Sequence, residues 1–463
     1  MSIHYLKTRH RPCYDIRDCP GLNYVSPTFD NGPAINSWLN TITNTGTTPV
    51  DIELTKKVYF TTDLVIPNSP IGFKGTKNGK FRGSSDFITS GTPIPFTKIL
   101  VAGSFTGRVL PYTTPIPYGT SSFNYSASGL SLGQFVLLQN FPTSSGGTDF
   151  AVVQPDGSRH YPNGSLLIYP GMTVDPANLR QWRRFEPMQV QSADSTHFTV
   201  SSPCFCDYSV YYNAADNLQF RQYTPNSFTT FEGISLENIT LNADLAFNFK
   251  VNFCNLLNSG ISMGRTLHGE IIGTFSDAQL TDSAIAFRQS RHIYINCNVS
   301  MGSILSDNGA IRCSGGSDFD VQVRTSGHRE RFFSCIFDAD YDEDGAGFPQ
   351  VNISNGKITA IDSSSNMGVF ISGNPYAGTA VDNVNVDFTG NTVYGLNAVY
   401  LKGCKNSQVN MHAPQANFRV DGGQNIQFIG MKGSQFIGGY FDPRNSASLL
   451  ASSNVNQVSW VPL

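Results

Sequence analysis

The sequence predicts an all-β solenoid, a chain of short strands wound into stacked rungs, with a folded excursion before its middle. Two observations carry this. The stretch from Leu280 to Arg331 repeats one phrase, SAIAF followed by HIYINCNV, then GAIRC followed by FDVQV. Each phrase is an alternating strand, a small polar turn and a second alternating strand. Period-two alternation puts Ile285 and Phe287 on one side, with Ala286 and Arg288 on the other. In the next copy Ile311 and Cys313 point inward and Arg312 outward. The copies lie about 26 residues apart, and a unit that short must stack on neighbours to bury its apolar side. The second observation is compositional. With 43 glycines and 14% charged residues, the chain favours strands and turns over long helices.

Bulk properties narrow the partners. The net charge is -3 with no basic stripe, which excludes a nucleic-acid partner from the expectations. No run of 18 apolar residues occurs, so no membrane insertion is expected. The start, MSIHYLKTRHRPCYD, holds no apolar core of signal-peptide length. Of nine cysteines, Cys254, Cys297, Cys313, Cys335 and Cys404 fall in strand-like runs and read as buried free thiols, with disulfides as the alternative; the nine together suit a chain made in a reducing cytosol.

Taken in order, residues 1–27 lack periodicity and read as an arm. Residues 28–94 open with PTFDNGPAINSWLNTI, where Asp30 or Asn31 can cap, Pro33 suits the first turn, and Ile35, Trp38, Leu39 and Ile42 share a helical face. Four short strands follow: PVDIEL, KVYF, DLVIP and IGFKG. Residues 95–230 are strand-rich without the repeat and read as an inserted β-rich subdomain. Its Tyr161, Trp182, Tyr208, Tyr211 and Tyr212 are either sugar-binding rings or that unit's own core. Rungs resume over 231–440, and 441–463 is a tail.

The capped helix followed by VDIELTKKVYFTTDLVIPNSPIGFKGTKNG resembles the entry to the pectate-lyase-like right-handed parallel β-helices, most of all those of bacteriophage tailspikes and related polysaccharide depolymerases. The resemblance covers about 28–80 and, more loosely, 231–440. It implies a right-handed, single-stranded parallel β-helix whose open end is plugged by the helix, as an exposed solenoid end demands. It also implies a homotrimer.

Glycosidic bonds are commonly cut by two carboxyl groups, which on a solenoid come from successive rungs. Asp282, Asp307 and His328 fall at about that spacing, although each Asp taken alone also suits a turn-capping role. TDSAI, SDNGAI and SGHRER resemble the polygalacturonase motifs. That resemblance implies Asp307 as general acid, Asp282 as the base that activates water, and His328 in a tuning or positioning role. The chain departs from the pattern at Asp307-Asn308, Gly327-His328-Arg329 and Gly356-Lys357-Ile358. A second cluster, FDADYDEDGAGF, offers Asp340 as a fallback catalytic partner for Asp307. Asp340, Asp342 and Asp344 match the opening of a calcium loop, while Val351 stands where an EF-hand has Glu. This cluster reads as a calcium site, a solvated acidic loop or part of a groove. No other cofactor is required.

Aligning later copies puts Phe370, Tyr400 and Arg419 in one outward line with Ala286 and Arg312. Such a face suits either a glycan groove or a subunit interface. The expectation is a tailspike in the virion tail, synthesised in the host cytoplasm and acting at the bacterial surface. It would bind and hydrolyse capsule or O-antigen and contact other tail proteins. The alternatives are a lyase on the same fold and a non-catalytic adhesin.

Overall fold

The computed structural model describes residues 11–26, 28–76, 78–84, 97–126, 128–139, 152–153, 159–160, 167–168, 185–206, 208, 218–278, 283–301, 309–327, 333–338, 353–362, 367–372, 381–390, 397–412, 417–424, 426–432 and 435–436. Among these, 25 strands join into one parallel ladder that winds as a right-handed β-helix. One face registers Ile261, Ile285, Ile311, Cys335, Val369 and Val399 on one another. The adjoining face registers Val251, Ile271, Ile295, Val321, Ile358, Val386 and Val409. All are buried, so both lines run through the core.

Rung length is not constant. Contacting residues on neighbouring rungs are 20 apart at Lys250 and Glu270, 26 at Arg291 and Ser317, and 28 at Asn355 and Asn383. At Thr325 and Asp362 the separation is 37. The extra residues enter connections and leave the strand register unchanged.

The corner between the two faces is built from single left-handed residues. Phe228, Asn248, His268, His292, Asp318, Asn355, Asn383 and Asn406 stand one above another with φ from +47° to +62°. Asn, Asp and His tolerate this region best among residues with a side chain. Polar side chains at the corner also bond along the stack: Asn383 Nδ2 donates to Asn355 Oδ1 at 3.0 Å.

The helix Gly32–Ile42 closes the first rung, burying Ile35, Trp38 and Leu39. Asp30 does the capping, accepting from the Gly32, Thr61 and Thr62 amides at 3.0, 2.9 and 3.1 Å. Burial raises its pKa, but the bonds from Thr62, Thr61 and Gly32 outweigh that and hold it at about 2. Asn31, fully buried, instead ties the helix to Tyr59 O at 2.8 Å. The stretch expected as an arm differs from that reading. Cys13–Asp15 pairs in parallel with Val50–Leu54 and extends the solenoid by a strand, and Ile16 enters the core. A three-residue strand is too short to show periodicity.

The excursion is narrower than 95–230, because Thr97–Ala102, Asn226–Ser227 and Thr230–Glu232 pair in parallel as solenoid strands. Its described strands form a three-stranded antiparallel sheet of Val152–Val153, Arg159–His160 and Leu167–Ile168, and a separate antiparallel sheet of six: Ser104–Pro111, Ser122–Asn124, Phe135–Gln139, Phe185–Ala193, His197–Val200 and Gln219–Thr224. Phe123, Phe198 and Phe220 pack with centroids 4.9–5.2 Å apart at its centre. Tyr208 is buried in the same core. Tyr161, Trp182, Tyr211 and Tyr212 lie outside the described residues. The sheet seats on the solenoid corner through Leu137, Tyr223 and Leu245, and the Phe185 amide donates to Gln289 Oε1.

Register makes one substitution decisive. An added Cβ on Gly356 would lie 1.9 Å from the ring of Phe319 on the rung it pairs with. Gly356→Ala should therefore destabilise the fold by about 1–3 kcal/mol, measured as a lower denaturation midpoint at unchanged slope. Cysteine chemistry gives a second check. Cys13 is exposed and the other eight cysteines are buried thiols. Burial pushes Cys19 and Cys254 up to about 11. A thiol reagent at neutral pH should label Cys13 alone in the native protein and all nine after denaturation.

Candidate functional site

The described strands set the frame for the catalytic candidates. Asp282, Asp307 and His328 lie outside the described residues. In sequence, however, each belongs to the connection that leads into a strand of the first face. Those strands, beginning at Ile285, Ile311 and Phe333, occupy consecutive rungs, with Ile285 on Ile311 and Ile311 on Cys335. Asp340, Asp342 and Asp344 also lie outside the described residues. They belong to the connection from Phe333–Asp338 to Ile353–Asp362, which leaves the opposite edge of that face. Among the described residues, no cluster of three or more His, Cys, Asp or Glu could hold a metal ion.

Between these two edges runs the outward line. Ser262, Ala286, Arg312, Ile336, Phe370, Tyr400 and Arg419 are successive partners in register. Ala286, Arg312 and Ile336 are covered, with Arg312 only 6% exposed, whereas Phe370 and Tyr400 are half-buried. The rings form a strip: Phe333 to Phe370 spans 5.5 Å and Phe370 to Tyr400 spans 4.9 Å between centroids. Ser262 and Ile336 are the members that the sequence reading left out, Ile336 because a long connection follows its strand. For Arg419 the structure describes the backbone, which continues the line one rung past Tyr400.

The second face carries a different outward line. Lys250, Glu270, Tyr294, Asp320 and Lys357 follow one another in register. Lys250 Nζ lies 2.8 Å from Glu270 Oε2. Burial raises the Glu270 carboxyl, but hydrogen bonds from Lys250 and Asn252 outweigh that and leave its pKa lowered. Glu270 therefore serves as a fixed anion rather than as a proton donor.

A buried ionic network fastens the inserted sheet beside the first face. Arg291, 1% exposed, reaches from the solenoid corner into the inserted chain. Its Nε donates to Ser317 Oγ at 3.1 Å, Nη1 to Ser202 O at 3.3 Å, and Nη2 to Pro203 O. Its charge sits 3.9 Å from Glu186 and 3.6 Å from Asp318. Glu186 is fully buried and accepts from the Phe205 and Cys206 amides at 2.9 and 2.8 Å. Burial pushes its carboxyl up, opposed by Arg291 and those amides. An Arg beginning an alternating strand is the sequence signal for this network, but only the fold supplies its partners.

No protein-family model matches the chain, and no curated protein matches it. Solved structures do. A tailspike of an Acinetobacter baumannii bacteriophage, in complex with capsular saccharide, is 10% identical with a TM-score of 0.38, covering 90% of this chain and 66% of that one. The tailspike of a Pseudomonas phage is 12% identical at 0.34, covering 89% and 76%. A family 28 exopolygalacturonase of Yersinia enterocolitica is 11% identical at 0.37, covering 97% and 77%. The chain thus spans about two thirds to three quarters of these proteins' own lengths. Likenesses of this size carry no argument about ligand or reaction.

Removing one member of the buried pair should be costly. Arg291→Ala or Glu186→Ala should each lose about 3–5 kcal/mol, because an uncompensated charge remains buried. Replacing both by apolar residues of similar volume should recover most of that loss. Chemical denaturation of the two single variants and the double variant reads the difference.

Proposed function

We propose that the chain binds a bacterial surface polysaccharide, capsule or O-antigen, along its first face and cuts it by hydrolysis. The observation that carries this is the register of the strands beginning at Ile285, Ile311 and Phe333. In sequence the connections holding Asp282, Asp307 and His328 lead into those strands, which share a face with the Phe370–Tyr400 strip. Successive rungs are about 4.8 Å apart, a spacing at which neighbouring connections can present two carboxyl groups to one glycosidic bond. In the proposed reaction Asp307, protonated, donates to the leaving glycosidic oxygen. Asp282, ionised, takes a proton from the attacking water. His328 positions or tunes one of them, and Asp340 is the fallback partner of Asp307. Aromatic rings suit the apolar faces of pyranoses. Phe370 and Tyr400 accordingly hold the chain, with Arg419 one rung beyond Tyr400 and Arg312, only 6% exposed, two rungs before Phe370 on the same line.

The same reading makes the protein a homotrimeric component of a virion tail, contacting other tail proteins. It is made in the host cytoplasm and acts outside at the cell surface. Support comes from the resemblance of the capped entry to tailspike β-helices. Calcium at Asp340, Asp342 and Asp344 is part of the proposal and is not required for the hydrolysis described.

The test is depolymerisation of purified capsular and O-antigen polysaccharides from a host panel, followed by size-exclusion. The parent protein should shorten one of them without any rise in the ultraviolet band of an unsaturated uronate. Asp307→Asn should lower the rate about 10²–10⁴-fold, the usual share of a general acid. Tyr400→Ala should weaken binding about tenfold and leave the fold intact. A rise in that band would make the reaction a β-elimination. Loss in Asp340→Asn alone would move the site to the opposite edge. A glycan that is bound but never shortened would make the protein an adhesin.

A further inference from the structure

The inserted sheet meets the solenoid over a pair of stacked imidazoles that the proposed chemistry does not use. His268 and His292 hold the left-handed corner position on adjacent rungs. Their ring centroids are 4.6 Å apart and the planes 11° from parallel. His268, on the solvent side, also meets the ring of Phe247 edge-on at 5.6 Å. The Nε2 of His292 lies 2.8 Å from Ser202 Oγ on the inserted chain. The ionic groups around the pair are Arg291 on the same rung, Asp318 on the next, and Glu186 from the inserted sheet. Tyr118 and Cys204 of the inserted chain are raised by burial and stay neutral through the acidic range. Arg291 already lies between both carboxylates. Asp318 can balance one further positive charge at this corner, and among the described residues no other carboxylate is paired with this cluster to balance a second.

We infer that the His268–His292 stack makes the docking of the inserted sheet acid-sensitive, closed on the corner while the rings are neutral and lifted from it once both carry protons. Two neutral rings stack favourably, whereas two imidazolium ions in contact repel. Protonation at Nε2 also takes away the lone pair that can accept from Ser202. The direction of titration agrees. Burial first, then His292 and Arg291, pulls His268 from its usual 6.5 down to about 4. Burial also lowers His292, against Asp318 and with Arg291. A histidine with a lowered pKa when docked stabilises docking fully above its free value near 6.5. That contribution drains away as the pH falls from there towards 4. Glu186 has the opposite sign, since its raised pKa favours the docked state at low pH. It cannot be the source of acid release.

Hydrogen exchange on the full chain from pH 8 to 4.5, corrected for intrinsic rates, tests this. Between pH 7.5 and 5 the amides of Phe185–Ala193 and of 201–206 should lose protection about tenfold more than 293–299 of the solenoid, allowing for screening at the solvent side of His268. His268→Phe keeps a ring in the stack without a titrating group and should shift the loss to lower pH. Adding His292→Gln, which can still bond Ser202, should flatten the profile. Protection lost equally from both units, or a profile unchanged in His268→Phe and in the double variant, would overturn the inference. Solenoid amides report in the same experiment whether each variant is folded, and His268→Phe changes a solvent-side ring only.

Discussion

Everything in this molecule depends on parallel strands stacking in register at a constant rise. Once Ile285 pairs with Ile311, every residue on those rungs has a fixed neighbour above and below. Inward positions become a continuous apolar core, and outward positions become lines of side chains about 4.8 Å apart. The corner residues obey the same rule. The chain turns where one residue can adopt positive φ, and Asn, Asp and His recur there because their backbone tolerates it and their side chains bond along the stack. Rungs as short as 18 residues, at Phe418 and Phe436, and as long as 37, at Thr325 and Asp362, coexist because length differences are confined to the connections.

This constraint also explains how the solenoid can carry chemistry. A connection can change length and residue type without disturbing the core, so reactive groups belong at strand edges and binding groups on the faces. On the first face the Phe370–Tyr400 strip follows the rung repeat, and a glycan running along the axis would meet one ring per rung. The inserted sheet, fixed by the Arg291–Glu186 network, stands at one flank of that face. It borders that face rather than completing the solenoid core, since it has a core of its own.

The sequence was most legible where its pattern repeats. Alternation in SAIAF and GAIRC gave the register of Ile285 with Ile311 and the outward line through Arg312, Phe370, Tyr400 and Arg419. It failed where the repeat is interrupted. Ile336 escaped because a long connection follows its strand, and Cys13–Asp15 because three residues show no period. The Arg291 network was out of reach for another reason. Its partners Pro203, Ser202 and Glu186 are 88, 89 and 105 residues away, and only docking of the inserted sheet brings them together. Free thiols, by contrast, were legible from cysteines placed in alternating strands.

The most direct test of this account is a structure of the Asp307→Asn variant with an oligosaccharide prepared from the host's own surface polysaccharide. The account predicts sugar density along the first face, running parallel to the solenoid axis over Phe370 and Tyr400, with a glycosidic oxygen within hydrogen-bonding reach of residue 307. Sugar bound instead over the line of Glu270, Tyr294 and Asp320 on the second face would contradict it.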